Sequence, residues 1–199
     1  MIYKLIEEYE KLFMYGGIQQ ATEELESLVD YIGTRKFKTM AEIGIADGGT
    51  LWLYSHLFGS KGAKFIVTDM TIRPITKKVM ETITERTGIT FDVYECKNYM
   101  FRLKEPVEFL HLDGDHSYVA LRNDYFVNER MVEKDGIIVI HDTYLMPGPI
   151  KFREEIEKSE VDCRTFKGIN TLCDCFGPNR INPHKRQFGM TVVRKTLRV

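Results

Sequence analysis

The sequence has no long hydrophobic run. Its uncharged apolar stretches fall far short of the roughly 20 residues that a bilayer-spanning helix needs, so no membrane span is expected. Cysteine is sparse: Cys96, Cys163, Cys173 and Cys175 in 199 residues do not make a disulfide framework, and a reducing compartment is the expectation. Net charge is nearly absent. Twenty-eight Lys and Arg stand against 29 Asp and Glu, giving −1, which removes the bulk electrostatic argument for nucleic acid as a partner. There is no internal repeat, low-complexity tract or Pro/Gly/Ser linker to divide the chain. At the N-terminus Glu7 and Glu8 arrive before any apolar signal core, so no signal peptide is expected. Together these absences predict a soluble, cytoplasmic protein. What is present is enough for a full core: 43% of residues are hydrophobic and 12% aromatic.

Two amphipathic helices open the chain. Ile2, Leu5, Ile6, Tyr9, Leu12 and Phe13 recur at helical spacing, and Gly16-Gly17 ends that pattern. Leu25, Leu28, Val29 and Ile32 share one face of the second helix, with Gly33 past its end. From about residue 36 the pattern changes to short apolar runs alternating with helical periods. Strands are predicted at Phe37–Ile45, Lys64–Asp69, Phe91–Glu95, Val107–Asp113 and Gly136–Asp142, with helices between them. A helix near Lys151–Lys158, a strand at Asp162–Phe166 and a last strand at Phe188–Arg194 complete the pattern. This alternation predicts an α/β fold, a doubly wound, mostly parallel sheet with helices on both faces. Residues 1–35 read as a helical extension packed on a domain formed by 36–199.

In such a sheet, ligands bind beyond the carboxyl ends of the strands. Those ends carry Glu42-Ile-Gly44-Ile-Ala46-Asp47-Gly48-Gly49, then Asp69-Met70, then Cys96-Lys97-Asn98, then Asp113-Gly-Asp115-His116, then His141-Asp142-Thr143. Four of the five carry a carboxylate, and carboxylates crowded at a sheet edge repel unless a cation or ligand hydroxyls lie between them. The glycine loop is a poor dinucleotide fingerprint. From Gly44 that pattern wants glycine at 46 and 49, and Ala46 occupies the first of these. A small ligand with a cationic group, helped by Glu42, fits better, with Asp69 placed to accept hydrogen bonds from ribose hydroxyls. Asp113 with Asp142 would form an oxygen-rich site for Mg²⁺, Mn²⁺ or Ca²⁺. The bland alternative for Asp113–Ser117 is an Asx-turn capping the next helix, with Ser117 as N-cap.

At these residues the chain resembles the class I S-adenosylmethionine-dependent methyltransferases. The loop Glu42-x-Gly44-x-x-x-Gly48-Gly49, Asp69, the string Asp113-Gly-Asp-His-Ser-Tyr118 and Gly136-Ile-Ile-Val-Ile-His-Asp142 follow that family's order. The subgroup it resembles most contains macrocin O-methyltransferase-like and cephalosporin-hydroxylase-like proteins, over about residues 36–145. The resemblance implies a seven-stranded Rossmann-like methyltransferase fold and methyl transfer to a hydroxyl of a small molecule or sugar. It implies S-adenosylmethionine binding by Glu42, Gly44, Ala46, Gly48, Gly49, Asp69, Met70, Asn98 and Asp113. It places a hard divalent cation on Asp113, Asp142 and Thr143, the last standing where many relatives have Asn or Asp. Asp115 and His116 are its implied catalytic residues. A nicotinamide-dependent oxidoreductase and a non-catalytic cofactor-binding protein are the alternatives.

Three features are weaker. Cys163, Cys173, Cys175 and His184 lack the ligand spacing of a zinc site. The basic, proline-containing stretch from Ile169 to Arg186 reads as a solvated loop before it reads as a lid for an anionic or glycan acceptor. The N-terminal helices either cover the acceptor pocket or pair between subunits of a homo-oligomer.

Overall fold

A computed structural model describes residues 1–13, 18–97, 100–159, 161–169 and 187–195. Seven strands, β1 (Phe37–Ile43), β2 (Gly59–Asp69), β3 (Thr90–Glu95), β4 (Val107–Leu112), β5 (Val132–Ile140), β6 (Cys163–Ile169) and β7 (Gln187–Arg194), form one sheet in the order β3-β2-β1-β4-β5-β7-β6. The first five are parallel; β7 runs antiparallel to both β5 and β6. Among the described residues there are six α-helices, α1 (Ile2–Leu12), α2 (Thr22–Ile32), α3 (Gly49–Leu57), α4 (Pro74–Thr87), α5 (Tyr118–Asn128) and α6 (Pro147–Lys158).

Side chains alternate between two buried layers, because neighbouring strand residues point to opposite faces. Phe65, Val67, Phe109, Ile137 and Val139 pack under α1–α4. Ile66, Leu110, Leu112, Ile138 and Ile140 pack under α5 and α6. Both faces are covered, as parallel strands require. Helices α1 and α2 belong to the first layer. Trp52 of α3, fully buried, donates its Nε1–H to the Leu5 carbonyl at 2.9 Å, and Tyr9 and Phe13 pack edge-on to its ring. No helix among the described residues is long and apolar enough to cross a membrane.

Several element boundaries differ from the sequence reading. Strand β2 begins at Gly59 rather than Lys64. Gly59 pairs with Phe37, and a side chain there would meet the Ser55 carbonyl at 2.7 Å, so the glycine permits packing where it reads as a helix stop. Strand β5 starts at Val132, four residues earlier than Gly136, and releases His141 and Asp142 beyond its end. Helix α5 stops at Asn128 and a short 3₁₀ turn, Glu129–Met131, bridges to that strand. Strand β6 extends to Ile169, paired with Gln187 of β7. Cys173, Cys175, His184 and the rest of 170–186 lie outside the described residues, as do Gly16-Gly17 and Asn98.

Candidate active site

The carboxyl ends of β1, β2, β4 and β5 open onto a cleft of about 540 Å³. On its cofactor side runs the loop after β1. Gly44 has φ +86° and sits so close to β4 that a Cβ would fall 2.2 Å from the Asp113 carbonyl oxygen; only glycine fits both demands. Asp69, at the end of β2, ties the loop down: its Oδ2 accepts from Ile45 N at 2.9 Å and Ala46 N at 3.0 Å. Ala46 is held at φ +41°, and its carbonyl accepts from Thr76 Oγ1 at 2.6 Å. The Asp47 carbonyl accepts from Tyr9 Oη at 2.9 Å, and its carboxylate pairs with Arg73 at 2.8 Å. Gly49 and Thr50, opening α3, and exposed Met70 also line this side. Gly48, at φ +86°, starts α3 against Val79 and does not reach the cleft.

Glu42 does not line the cleft either. It is fully buried beneath the loop, opposite His111 in the β1–β4 register, and its Oε1 accepts from Thr50 Oγ1 and contacts His111 Nδ1 at 2.8 Å. Burial pushes its carboxyl above the usual range, against the pull of His111 and Thr50. Its Oε2 is buried with no partner among the described residues.

Across the cleft, two carboxylates and two imidazoles converge. His116 Nε2 lies 3.4 Å from Asp113 Oδ1 and 3.2 Å from Asp142 Oδ2. His141 Nδ1 lies 3.3 Å from Asp113 Oδ1 and 3.4 Å from Asp142 Oδ1. Asp142 adopts φ +56°, a left-handed conformation that Asp tolerates better than most residues and that turns its side chain toward Asp113. Burial raises the pKa of both carboxyls, but around Asp113 the three imidazoles, His141 first, outweigh it and hold that carboxyl well below the usual range. For Asp142 burial wins and the pKa is raised. Burial disfavours a charged His141, yet Asp113 and Asp142 prevail and raise its pKa well above the ordinary value. His116 is raised by its contact with Asp113.

The loop after β4 divides its labour. Asp115, exposed, accepts from Ser117 N at 2.7 Å, and Ser117 Oγ accepts from Ala120 N at 3.3 Å, so the Asx-turn and N-cap exist. Asp113 and His116 stay outside that capping, and both line the cleft together with Asp115. Gly148 of α6 clamps the loop, since a Cβ there would fall 2.1 Å from the His116 carbonyl oxygen.

Thr143 stands apart from the convergence. Its hydroxyl is buried on the β7 side, where a Cβ added at Gly189 would come within 3.2 Å of it, and it does not line the cleft. Among the described His, Cys, Asp and Glu side chains, Asp113, His141 and Asp142 each offer one ligand atom, all within 4.8 Å of one another, so His141 joins the two acids that the sequence reading paired. Sequence reasoning also missed Gln19 and Gln20, before α2, and Leu145 and Phe188, which form the far wall. Gln20 Nε2 reaches Asp113 Oδ2 at 3.5 Å. These residues carry no local motif and meet only through the tertiary fold.

Residues 41–143 match the family model described as "Methyltransferase domain". No curated protein matches the chain in sequence. The fold is similar to an O-methyltransferase from Bacillus cereus, solved with S-adenosylhomocysteine, at TM-score 0.65 and 13% identity, covering 96% of this chain and 91% of that one. It is similar to an S-adenosylmethionine-dependent O-methyltransferase from Thermotoga maritima at TM-score 0.62 and 12% identity, with 98% and 72% covered. An N-methyltransferase from Bradyrhizobium japonicum, solved with S-adenosylhomocysteine, follows at TM-score 0.60 and 12% identity, with 98% and 97% covered. At such identities the structures establish the fold, and the family model spans more than half of the sequence. On a class I S-adenosylmethionine-dependent methyltransferase fold, then, the chain belongs to the methyltransferase domain family.

Proposed function

We propose that the protein transfers a methyl group from S-adenosylmethionine to a hydroxyl of a small molecule or sugar, with a divalent cation assisting, as the macrocin O-methyltransferase-like resemblance implies. One observation carries this reading: the strand-end acid Asp69 and a carboxylate–imidazole cluster face the same cleft. Asp69 lines it from β2, and Asp113, His116 and Asp142 line it from β4 and β5. The cleft's volume suits a nucleoside-sized ligand with an acceptor beside it.

S-adenosylmethionine supplies an electrophilic methyl on a sulfonium and leaves as a neutral thioether. Asp69 accepts from Ile45 N, Ala46 N and, at 3.3 Å, Thr71 N, which leaves about one of a carboxylate's four lone-pair sites for a ribose hydroxyl. Gly44, Ala46 and Gly49 let the backbone approach the donor, with Met70 at the rim and Asn98 assigned to the adenine end. Buried Glu42 acts through Thr50 and the loop, and Gly48 through the turn that positions α3, so both support the donor site from beneath it. Asp113 and Asp142 would hold the cation, whose charge would make an acceptor hydroxyl more acidic. Asp115 and His116, side by side on the loop after β4, are placed to accept the hydroxyl proton. Gln19, Gln20, Leu145 and Phe188 shape the acceptor wall, so acceptor choice belongs largely to segments outside residues 41–143.

The oxidoreductase alternative is disfavoured by the sheet. Dinucleotide-binding sheets continue parallel past β5 in the order 3-2-1-4-5-6, whereas here antiparallel β7 follows β5. The test is transfer of label from methyl-labelled S-adenosylmethionine to a panel of sugars, phenols and amines. Label on hydroxyl acceptors supports the proposal; label on amines alone contradicts it.

A further inference from the structure

The side chain of His141 is only 3% exposed, and its two ring nitrogens meet different surroundings. Nε2 lies 3.0 Å from Oε1 of Glu24, itself fully buried on α2. An ionised carboxylate can only accept, so this contact puts the proton of a neutral ring on Nε2 and leaves the lone pair on Nδ1. Glu24 cannot easily turn away, because the same Oε1 accepts from Ala21 N at 3.0 Å in the capping arrangement that opens α2. Nδ1 points at the gap between Asp113 and Asp142, at 3.3 and 3.4 Å from their oxygens. These are ion-pair contacts without hydrogen-bond geometry: Nδ1 and Asp142 Oδ1 are both buried with no hydrogen-bond partner among the described residues. Carboxylate oxygens from two acids crowd this nitrogen, and a proton on Nδ1 or a cation held by all three groups relieves their mutual repulsion. An octahedral ion with bonds of about 2.1 Å spaces neighbouring ligand atoms about 3 Å apart, near the 3.3 and 3.4 Å found at Nδ1, and all three ligand atoms lie within 4.8 Å of one another.

We infer that this centre is a mixed nitrogen–oxygen site that takes a divalent transition ion of the manganese-to-zinc series in preference to magnesium. His141 is a ligand through Nδ1, and Glu24 is the outer carboxylate that orients it. The inference rests on the metal-assisted reading for the role of the ion, but not for its binding. Magnesium favours all-oxygen surroundings, whereas imidazole suits the transition ions. A ligating histidine commonly donates its second N–H to a carboxylate, which fixes its tautomer and raises its basicity. Here that carboxylate comes from α2, so the N-terminal helices complete the centre rather than merely covering it. His116, 3.2–3.4 Å from the same two carboxylates, flanks the site from the cleft.

The full chain, stripped of metal by chelator and dialysis, is loaded with Mn²⁺ and examined by pulsed electron paramagnetic resonance. Imidazole ligation predicts nitrogen modulation in the wild type that persists in His116→Gln and is lost in His141→Asp. Calorimetry then compares Co²⁺ with Mg²⁺. Co²⁺ is expected to bind at least a hundredfold more tightly, His141→Asp to cut that preference at least tenfold, and Glu24→Gln to weaken Co²⁺ binding about 10- to 100-fold. Wild-type protein without nitrogen modulation, or with Mg²⁺ binding as tight as Co²⁺, overturns the inference whatever the variants do. Modulation that survives in folded His141→Asp overturns the role of His141. A parallel titration with S-adenosylhomocysteine separates the two ideas, because failure of the donor assignment leaves metal binding intact.

Discussion

Glu24 on α2 and His141 beyond β5 stand 117 positions apart in sequence, yet their side chains meet at 3.0 Å with both buried. The contact joins the N-terminal helical segment to the centre of the cleft. A buried ionic contact is poor evidence of net stabilisation, but breaking one side of it is costly because the other charge is left uncompensated.

Glu24→Ala therefore should destabilise the protein by about 3–5 kcal/mol, through the orphaned imidazole and the lost acceptor for Ala21 N. Glu24→Gln, which keeps an acceptor oxygen, should cost clearly less. Urea unfolding of both variants checks the order. Equal and small losses would show that the contact does not organise the fold.

Gly44→Ala brings a Cβ to within 2.2 Å of the Asp113 carbonyl while straining a backbone at φ +86°. The ends of β1 and β4 would have to separate, which costs about 3 kcal/mol or more. Thermal melts should show that loss, and donor binding should fall with it, since the two strand ends frame the cleft. A variant with wild-type melting and binding would refute the packing argument.

Asp124 supplies a pH dependence away from the centre. Burial on α5 pushes its carboxyl up to about 6, with Asn123 and Arg102 opposing and Asp115 adding slightly. The folded state thus holds this proton more tightly than the unfolded chain, whose pKa is about 3.9. Between pH 4 and 6 the folded form binds more protons, so the contribution of this group to stability falls as pH rises through that window. Asp124→Asn should remove that fall and raise stability at pH 7.5 by up to about 3 kcal/mol. Chemical denaturation at pH 4.5 and 7.5 reads both effects; an Asn variant less stable at pH 7.5 would contradict the sign.

The central strands were readable because they are buried on both faces and stand out as apolar runs, Gly136–Ile140 and Val107–Leu112 above all. Boundaries failed where local chemistry and tertiary packing disagree. Strand β2 begins at Gly59, ahead of the predicted start at Lys64, because Gly59 fits where any side chain would strike α3. The strand-end acids were readable for a similar reason: Asp69, Asp113 and Asp142 follow apolar runs that have no use for charge. The division of roles among them was not. Whether Asp113 or Asp115 caps α5 depends on which one the turn captures. Whether His141 or Thr143 faces the acids depends on strand alternation and on the φ +56° turn at Asp142. Gln20 and Phe188 reach the cleft, and Glu24 reaches His141 behind it, from distant segments, and nothing near them in sequence marks those destinations.

The most direct test of the central claim is calorimetric titration of the purified chain with S-adenosylhomocysteine, alongside NADH, for wild type and Asp69→Ala. The account predicts micromolar binding by the wild type, a drop of about tenfold or more on losing an acceptor for ribose hydroxyls, and no response to NADH. Binding of NADH without S-adenosylhomocysteine, or equal S-adenosylhomocysteine affinity in folded Asp69→Ala, would contradict it.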